Sequence, residues 1–107
     1  MGVNLNELAK NCLMVARKRE ENGANIKTDT MSMLKHCAGE VVEATEAFST
    51  VTDETSRKAF SSELADIICC VLIIAGHEEI DIAEALSSCM TKNAKRAYGE
   101  GDKLWLE

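Results

Sequence analysis

The chain has 107 residues, enough for one domain and no more, and its 46% hydrophobic and 28% charged content is that of a globular protein, not a disordered one. Lys and Arg number 12 against 18 Asp and Glu, and the net charge of −6 argues against duplex nucleic acid as a partner, though not against a phosphorylated ligand reached through a divalent cation. Aromatic residues are only 4% and proline is absent, so the core must be aliphatic and the turn chemistry of a β-rich fold is missing; the composition predicts an all-α chain.

The first fifteen residues show no basic segment followed by a long apolar run, so no signal peptide is expected. A first helix is predicted from about Asn4 to Glu21, with Leu5, Leu8, Ala9, Cys12, Leu13 and Ala16 forming one apolar stripe. Gly23 closes it, and Thr28 or Asp29 can cap the next helix. The second helix is predicted from about Thr30 to Val51, its core stripe Leu34, Ala38, Val41, Thr45 and Phe48. Asp53 is placed to cap a third helix, from about Glu54 to Gly76. Its second half, Ile67–Ala75, is apolar on every side, the pattern of a helix surrounded by protein; a single chain of this size cannot easily surround it, which predicts an oligomer. Gly76-His77 is expected to break the run. Asp81 and Glu84 have the spacing of a capping box for a fourth helix, from about Ile82 to Arg96. A tail carrying Gly99, Gly101 and the single tryptophan, Trp105, follows. No linker or repeat divides residues 1–107, so one domain is expected.

The longest strictly apolar run, Ile67–Ala75, is too short for a bilayer core, which needs roughly 20 residues; no membrane partner is expected, and the predicted location is the cytoplasm. The five cysteines form no CxxC pair and sit among apolar residues of predicted helices. They read as reduced thiols used as small hydrophobes.

Two acidic pairs stand out: Glu40-Val-Val-Glu43 on the second helix and Glu63-Leu-Ala-Asp66 on the third. Acids three apart project from one side of a helix and repel, so they stand in water or share a cation. On the second helix the solvated reading is serious, because Glu40 and Glu43 lie roughly opposite the Leu34/Val41/Thr45 stripe. On the third, the direction of Glu63 and Asp66 continues into Cys70 and Ile73, a face that becomes buried one turn later. An oxygen-only ligand set favours Mg²⁺ or Mn²⁺ over zinc. Neither His36 nor His77 has the Glu three residues earlier that a di-iron bundle would use. Lys92, Asn93 and Arg96 at the end of the fourth helix suit the helix dipole and could equally form a phosphate clamp.

The segments Gly39-Glu40-Val-Val-Glu43-Ala-Thr-Glu46-Ala, Glu63-Leu-Ala-Asp66-Ile and Lys92-Asn93-Ala-Lys-Arg96-Ala-Tyr98-Gly99 together resemble the all-α nucleoside triphosphate pyrophosphohydrolases, and within them the MazG-like branch, over roughly Leu34 to Lys103. Where that family's pattern has the first acid of an E-E pair, this chain has Gly39, read as a possible point of close approach. The resemblance implies an oligomeric, four-helix bundle-like fold. It also implies hydrolysis of a (deoxy)nucleoside triphosphate to the monophosphate and pyrophosphate, a house-cleaning reaction on the nucleotide pool. It implies Mg²⁺ on Glu40, Glu43, Glu63 and Asp66, with Mn²⁺ as a substitute. Glu43 is the implied base. Lys92, Asn93, Arg96 and Tyr98 would hold the phosphates, and His36 would line the pocket. Competing expectations are a non-catalytic helical oligomer that serves as an interaction module, and a nucleotide-binding regulator that keeps the site but turns over slowly; in each reading the chain is expected to form a homo-oligomer, dimer or tetramer.

Overall fold

A computed structural model describes residues 3–97. They form four helices: α1 (Leu5–Glu21), α2 (Thr30–Ser49), α3 (Glu54–His77) and α4 (Ile82–Ala97). There is no strand among the described residues, and the chain is all-α.

Local chemistry sets each boundary. The Asn4 side chain accepts from the Glu7 N–H at 3.1 Å to start α1. Gly23, at φ 87°, ends it, with the N–H groups of Gly23 and Ala24 returned to the carbonyls of Glu20 and Arg19. Of the two candidate caps for α2, Asp29 does the work: its carboxylate accepts from the Ser32 N–H at 3.0 Å. Thr28 is buried instead and donates its hydroxyl to Glu20. Asp53 caps α3 in a reciprocal box with Ser56.

The end of α3 differs from expectation. Gly76 does not break the helix, which continues through His77; the reversal is made by Glu79 at φ 55°. The N–H groups of Glu79 and Ile80 return to the carbonyls of Gly76 and Ala75, the same closure that Gly23 gives α1. The capping box expected before α4 is half formed. Asp81 accepts from the Glu84 N–H at 3.0 Å, but Glu84 turns forward to accept from Ser88, and Asp81 is tied to Asn6 of α1.

Helix α3 is the centre of the fold, and both α1 and α2 pack on it. Its 24 residues are, by length and composition, apolar enough to cross a bilayer, although Glu63 and Asp66 interrupt the apolar stretch and both neighbours pack on it. The core between the three helices is Leu13, Ala16, Met33, Cys70 and Ile73, continued by Ala9, Leu72 and Ala75. Here Gly76 has its role: a Cβ on it would lie 2.8 Å from the Ala9 carbonyl oxygen, so the missing side chain lets α1 and α3 close up. Gly39, read from the sequence as the point of close approach, has nothing within 4 Å of its Cβ position. Helix α4 rests on α1 through the Asn6–Asp81 and Asn6–Ala83 hydrogen bonds and through Ile82, and buries none of its own residues.

Helix α2 packs on a different face from the one expected. Met33 and Ala44 are its buried residues, with Cys37, Glu40 and Ala47 partly buried, whereas Leu34, Ala38, Val41, Thr45 and Phe48 are exposed. The helix is apolar over more than half its circumference, so periodicity alone offers two stripes. The one containing Met33 and Cys37 faces α3.

Candidate metal centre

That rotation puts Glu40 against α3 instead of opposite it. Residues 50–53 fold α3 back along α2, and the Phe48 and Phe60 rings meet beside the turn at 5.3 Å. One side of the helix pair then gathers three acids. A carboxylate oxygen from each of Glu40, Glu43 and Glu63 lies within 4.8 Å of the other two.

The three are not equivalent. Glu40 is the most enclosed, its side chain 12% exposed, and one of its oxygens accepts from Nε2 of His36 at 2.9 Å. Its other oxygen is buried without a partner, and so is one oxygen of Glu63. Glu43 is exposed. Burial pushes the Glu40 carboxyl above its ordinary range, and so do the shared contact with Glu43 and the charges of Glu43 and Asp66, against a smaller opposing pull from His36. Glu63 is raised too, first by desolvation and then by Glu43 and Asp66. Repelling acids with unsatisfied oxygens aimed into one space are costly as they stand. A hard divalent cation relieves both costs, because it takes oxygen ligands from several carboxylates. The donor set and the two orphaned oxygens fit such an ion.

Asp66 is one turn further along α3 and outside the 4.8 Å group, close enough for its charge to raise Glu40 and Glu63. It lines a cleft of about 400 Å³ between α1 and α3, whose walls include Leu8, Cys12, Val15 and Cys69 and whose polar groups include Asn11 and Arg19. Asn11 and Arg19 were not legible as site residues. Arg19 follows two other basic residues in the last turns of α1, where cations ordinarily answer the helix dipole. Only the packing of α1 on α3 shows that it shares a cleft with an acid of the α3 motif.

His36 is half exposed and holds Glu40, besides lining a smaller recess with Asn25, Lys27 and Ser32. Lys92, Asn93 and Arg96 lie on the far half of α4. Among the described residues no ion pair joins Lys92 or Arg96 to the acids, and Asn93 donates to Cys89 of its own helix. Tyr98 lies outside the described residues. All five cysteines are free.

Comparison with known families adds one match. The model of the MazG nucleotide pyrophosphohydrolase domain matches residues 28–98, a span that holds α2, α3, α4 and every acid of the centre. No curated protein and no solved structure matches the chain.

Proposed function

Because this chain belongs to the MazG nucleotide pyrophosphohydrolase domain family, we propose that it hydrolyses a nucleoside triphosphate to the monophosphate and pyrophosphate with Mg²⁺, or Mn²⁺ in its place. The observation that carries this reading is the convergence of Glu40, Glu43 and Glu63 from two helices, with two buried oxygens left unsatisfied. Glu40, Glu43 and Glu63 would hold the cation, with Asp66 at its edge. The cation, when bound, neutralises phosphate charge and lowers the pKa of a coordinated water.

The remaining work falls to the chain's own groups. His36 fixes the Glu40 carboxylate through Nε2 and so sets which oxygen faces inward. Glu43, the exposed acid of the three, would take a proton from the attacking water. The cleft beside Asp66, apolar along most of its wall, has room for a nucleoside, and Asn11 offers it a donor and an acceptor. Lys92, Asn93 and Arg96 would hold the phosphate tail, and Tyr98 would support them. The setting we infer is the cytoplasm, where such a reaction clears unwanted nucleotides from the pool.

The test is a turnover screen over standard and modified nucleoside triphosphates with Mg²⁺, following pyrophosphate and monophosphate together. Release of both in equal amounts is expected, with none when Mg²⁺ is chelated. Orthophosphate as the first product, or no product from any triphosphate, would sink the proposal.

A further inference from the structure

Two thiols meet at the cleft beside Asp66. Cys12 of α1 and Cys69 of α3 both line it, and their side chains are within hydrogen-bonding reach of each other. Small residues draw the two helices together: Ala9 and Ala16 of α1 are buried, and Gly76 sits against the Ala9 backbone. A disulfide needs such closeness, because its Cα atoms lie about 4.4–6.8 Å apart, whereas the axes of packed helices are ordinarily about 8–10 Å apart. The two thiols differ in setting. Cys69 is exposed, while Cys12 is partly buried and packs on both core clusters. Burial first, and then the charge and the hydrogen bond of Cys69, hold the Cys12 thiol above its ordinary range. An oxidant in solution therefore reaches Cys69 first, and Cys12 waits beside it as a protonated thiol. Cys70 is the poorer partner: it follows Cys69 in sequence, points about 100° round the helix from it, and is part of the core.

We propose that Cys12 and Cys69 are a reversible redox pair, closed to a disulfide by a peroxide and reopened by a dithiol reductant, and that the closed form shuts the cleft to substrate. The Cys69 sulfur attacks one oxygen of hydrogen peroxide and the O–O bond breaks; the thiol proton leaves with the other oxygen as water, and Cys69 becomes a sulfenic acid. The Cys12 sulfur then attacks the Cys69 sulfur, the S–O bond breaks, and the departing hydroxide takes the Cys12 proton as a second water. Two thiols and one peroxide thus become one disulfide and two waters. Part of what holds the proton on Cys12, the charge of an ionised Cys69, is gone once that sulfur is a sulfenic acid. In the reducing setting inferred above, such a bond is transient and not structural. It draws the two sulfurs from contact to about 2.05 Å and fixes α1 against α3 at the wall of the cleft. The closing of the cleft rests on the nucleoside role proposed for it; the bond itself does not.

The intact chain, treated with hydrogen peroxide and then alkylated, is mapped by mass spectrometry, with triphosphate turnover followed before and after. The expected map joins Cys12 and Cys69 in one cross-linked peptide pair, which dithiothreitol separates. Turnover at subsaturating triphosphate should fall about tenfold or more on oxidation and return on reduction, since a wall displaced by about an ångström misplaces a bound nucleoside. Cys12→Ser and Cys69→Ser, each compared with itself before and after peroxide, should lose both the bond and the switch. In Cys12→Ser, Cys69 should instead go on to the sulfinic acid. Peroxide that leaves both thiols free, or joins either of them to Cys89 or to another chain, overturns the redox pair. A Cys12–Cys69 bond that leaves turnover unchanged overturns the closing of the cleft. A reduced protein that hydrolyses no triphosphate fails the hydrolase reading and the switch with it, whereas the bond is judged by the mass map alone.

Discussion

Glu40 and Glu63 bind protons more tightly in the folded chain than free carboxylates do, and the consequence has a sign. A raised acid contributes stability that is fully present below the unfolded value and lost as pH rises through the folded one. The caps Asp29, Asp53 and Asp81 behave oppositely. Hydrogen bonds from Ser32, from Ser56, and from Asn6 and the Glu84 N–H respectively lower them, so their contribution is lost as pH falls through their depressed values. The metal-free protein should therefore melt highest in mildly acidic solution and lose stability towards neutrality. Glu63→Gln should flatten that neutral limb, which thermal melts across the range in chelator will show. The same substitution should cut metal-dependent turnover by about 100-fold or more, a loss expected when a group acting at the reacting centre is removed. Asp66→Asn, outside the tight group, should weaken Mn²⁺ binding less than Glu63→Gln does, as titration calorimetry can measure. Glycine offers a matched pair. Gly39→Ala, with open space at its Cβ, should stabilise by about 1 kcal/mol from helix propensity alone. Gly76→Ala should destabilise instead, because its Cβ meets a backbone carbonyl that cannot step aside. Urea denaturation of the two variants decides both signs.

At the scale of the helix, boundaries were the most legible feature of the sequence. Asp53, and Asp29 of the two candidates for α2, cap where the sequence offers them, because capping depends on residues within one turn. The face of α2 was not legible. Leu34, Val41 and Phe48 and the Met33, Cys37 and Ala44 set both satisfy helical spacing, and only the position of α3 chooses between them. That choice also governs the acids: Glu40 reads as solvated if Leu34 is core and as enclosed if Met33 is. The end of α3 falls within a residue of the expected place, but not through the glycine: Glu79 takes the left-handed conformation of the closure and Gly76 serves packing. Glu79→Gly should relieve about 1 kcal/mol of backbone strain, to be read from the same denaturation curves. Helix α4, with no buried residue, should exchange its amide hydrogens well before the 70–75 segment of α3.

For the molecule as a whole, the cation acts as a ligand of the folded state. The acids of α2 and α3 meet only when the two helices pack, so Mg²⁺ at a hundred times its dissociation constant should add about 2.7 kcal/mol to stability, and chelation should remove it. Glu40→Gln combined with Glu63→Gln should melt at the same temperature with or without Mg²⁺. A double variant that still responds would place the ion elsewhere.

Two neighbouring thiols on α3 differ sharply in setting. Cys69 is exposed at the cleft, while Cys70 is 4% exposed beneath the acids, its thiol pushed up to about 11 by burial and by the nearby Cys37 and Glu40. The chain thus contains its own stopwatch. A thiol reagent added to the native protein should consume Cys69 and Cys89 at once and reach Cys70 only when α2 lifts away from α3, so the slow phase of labelling times the breathing of the helix pair that forms the centre.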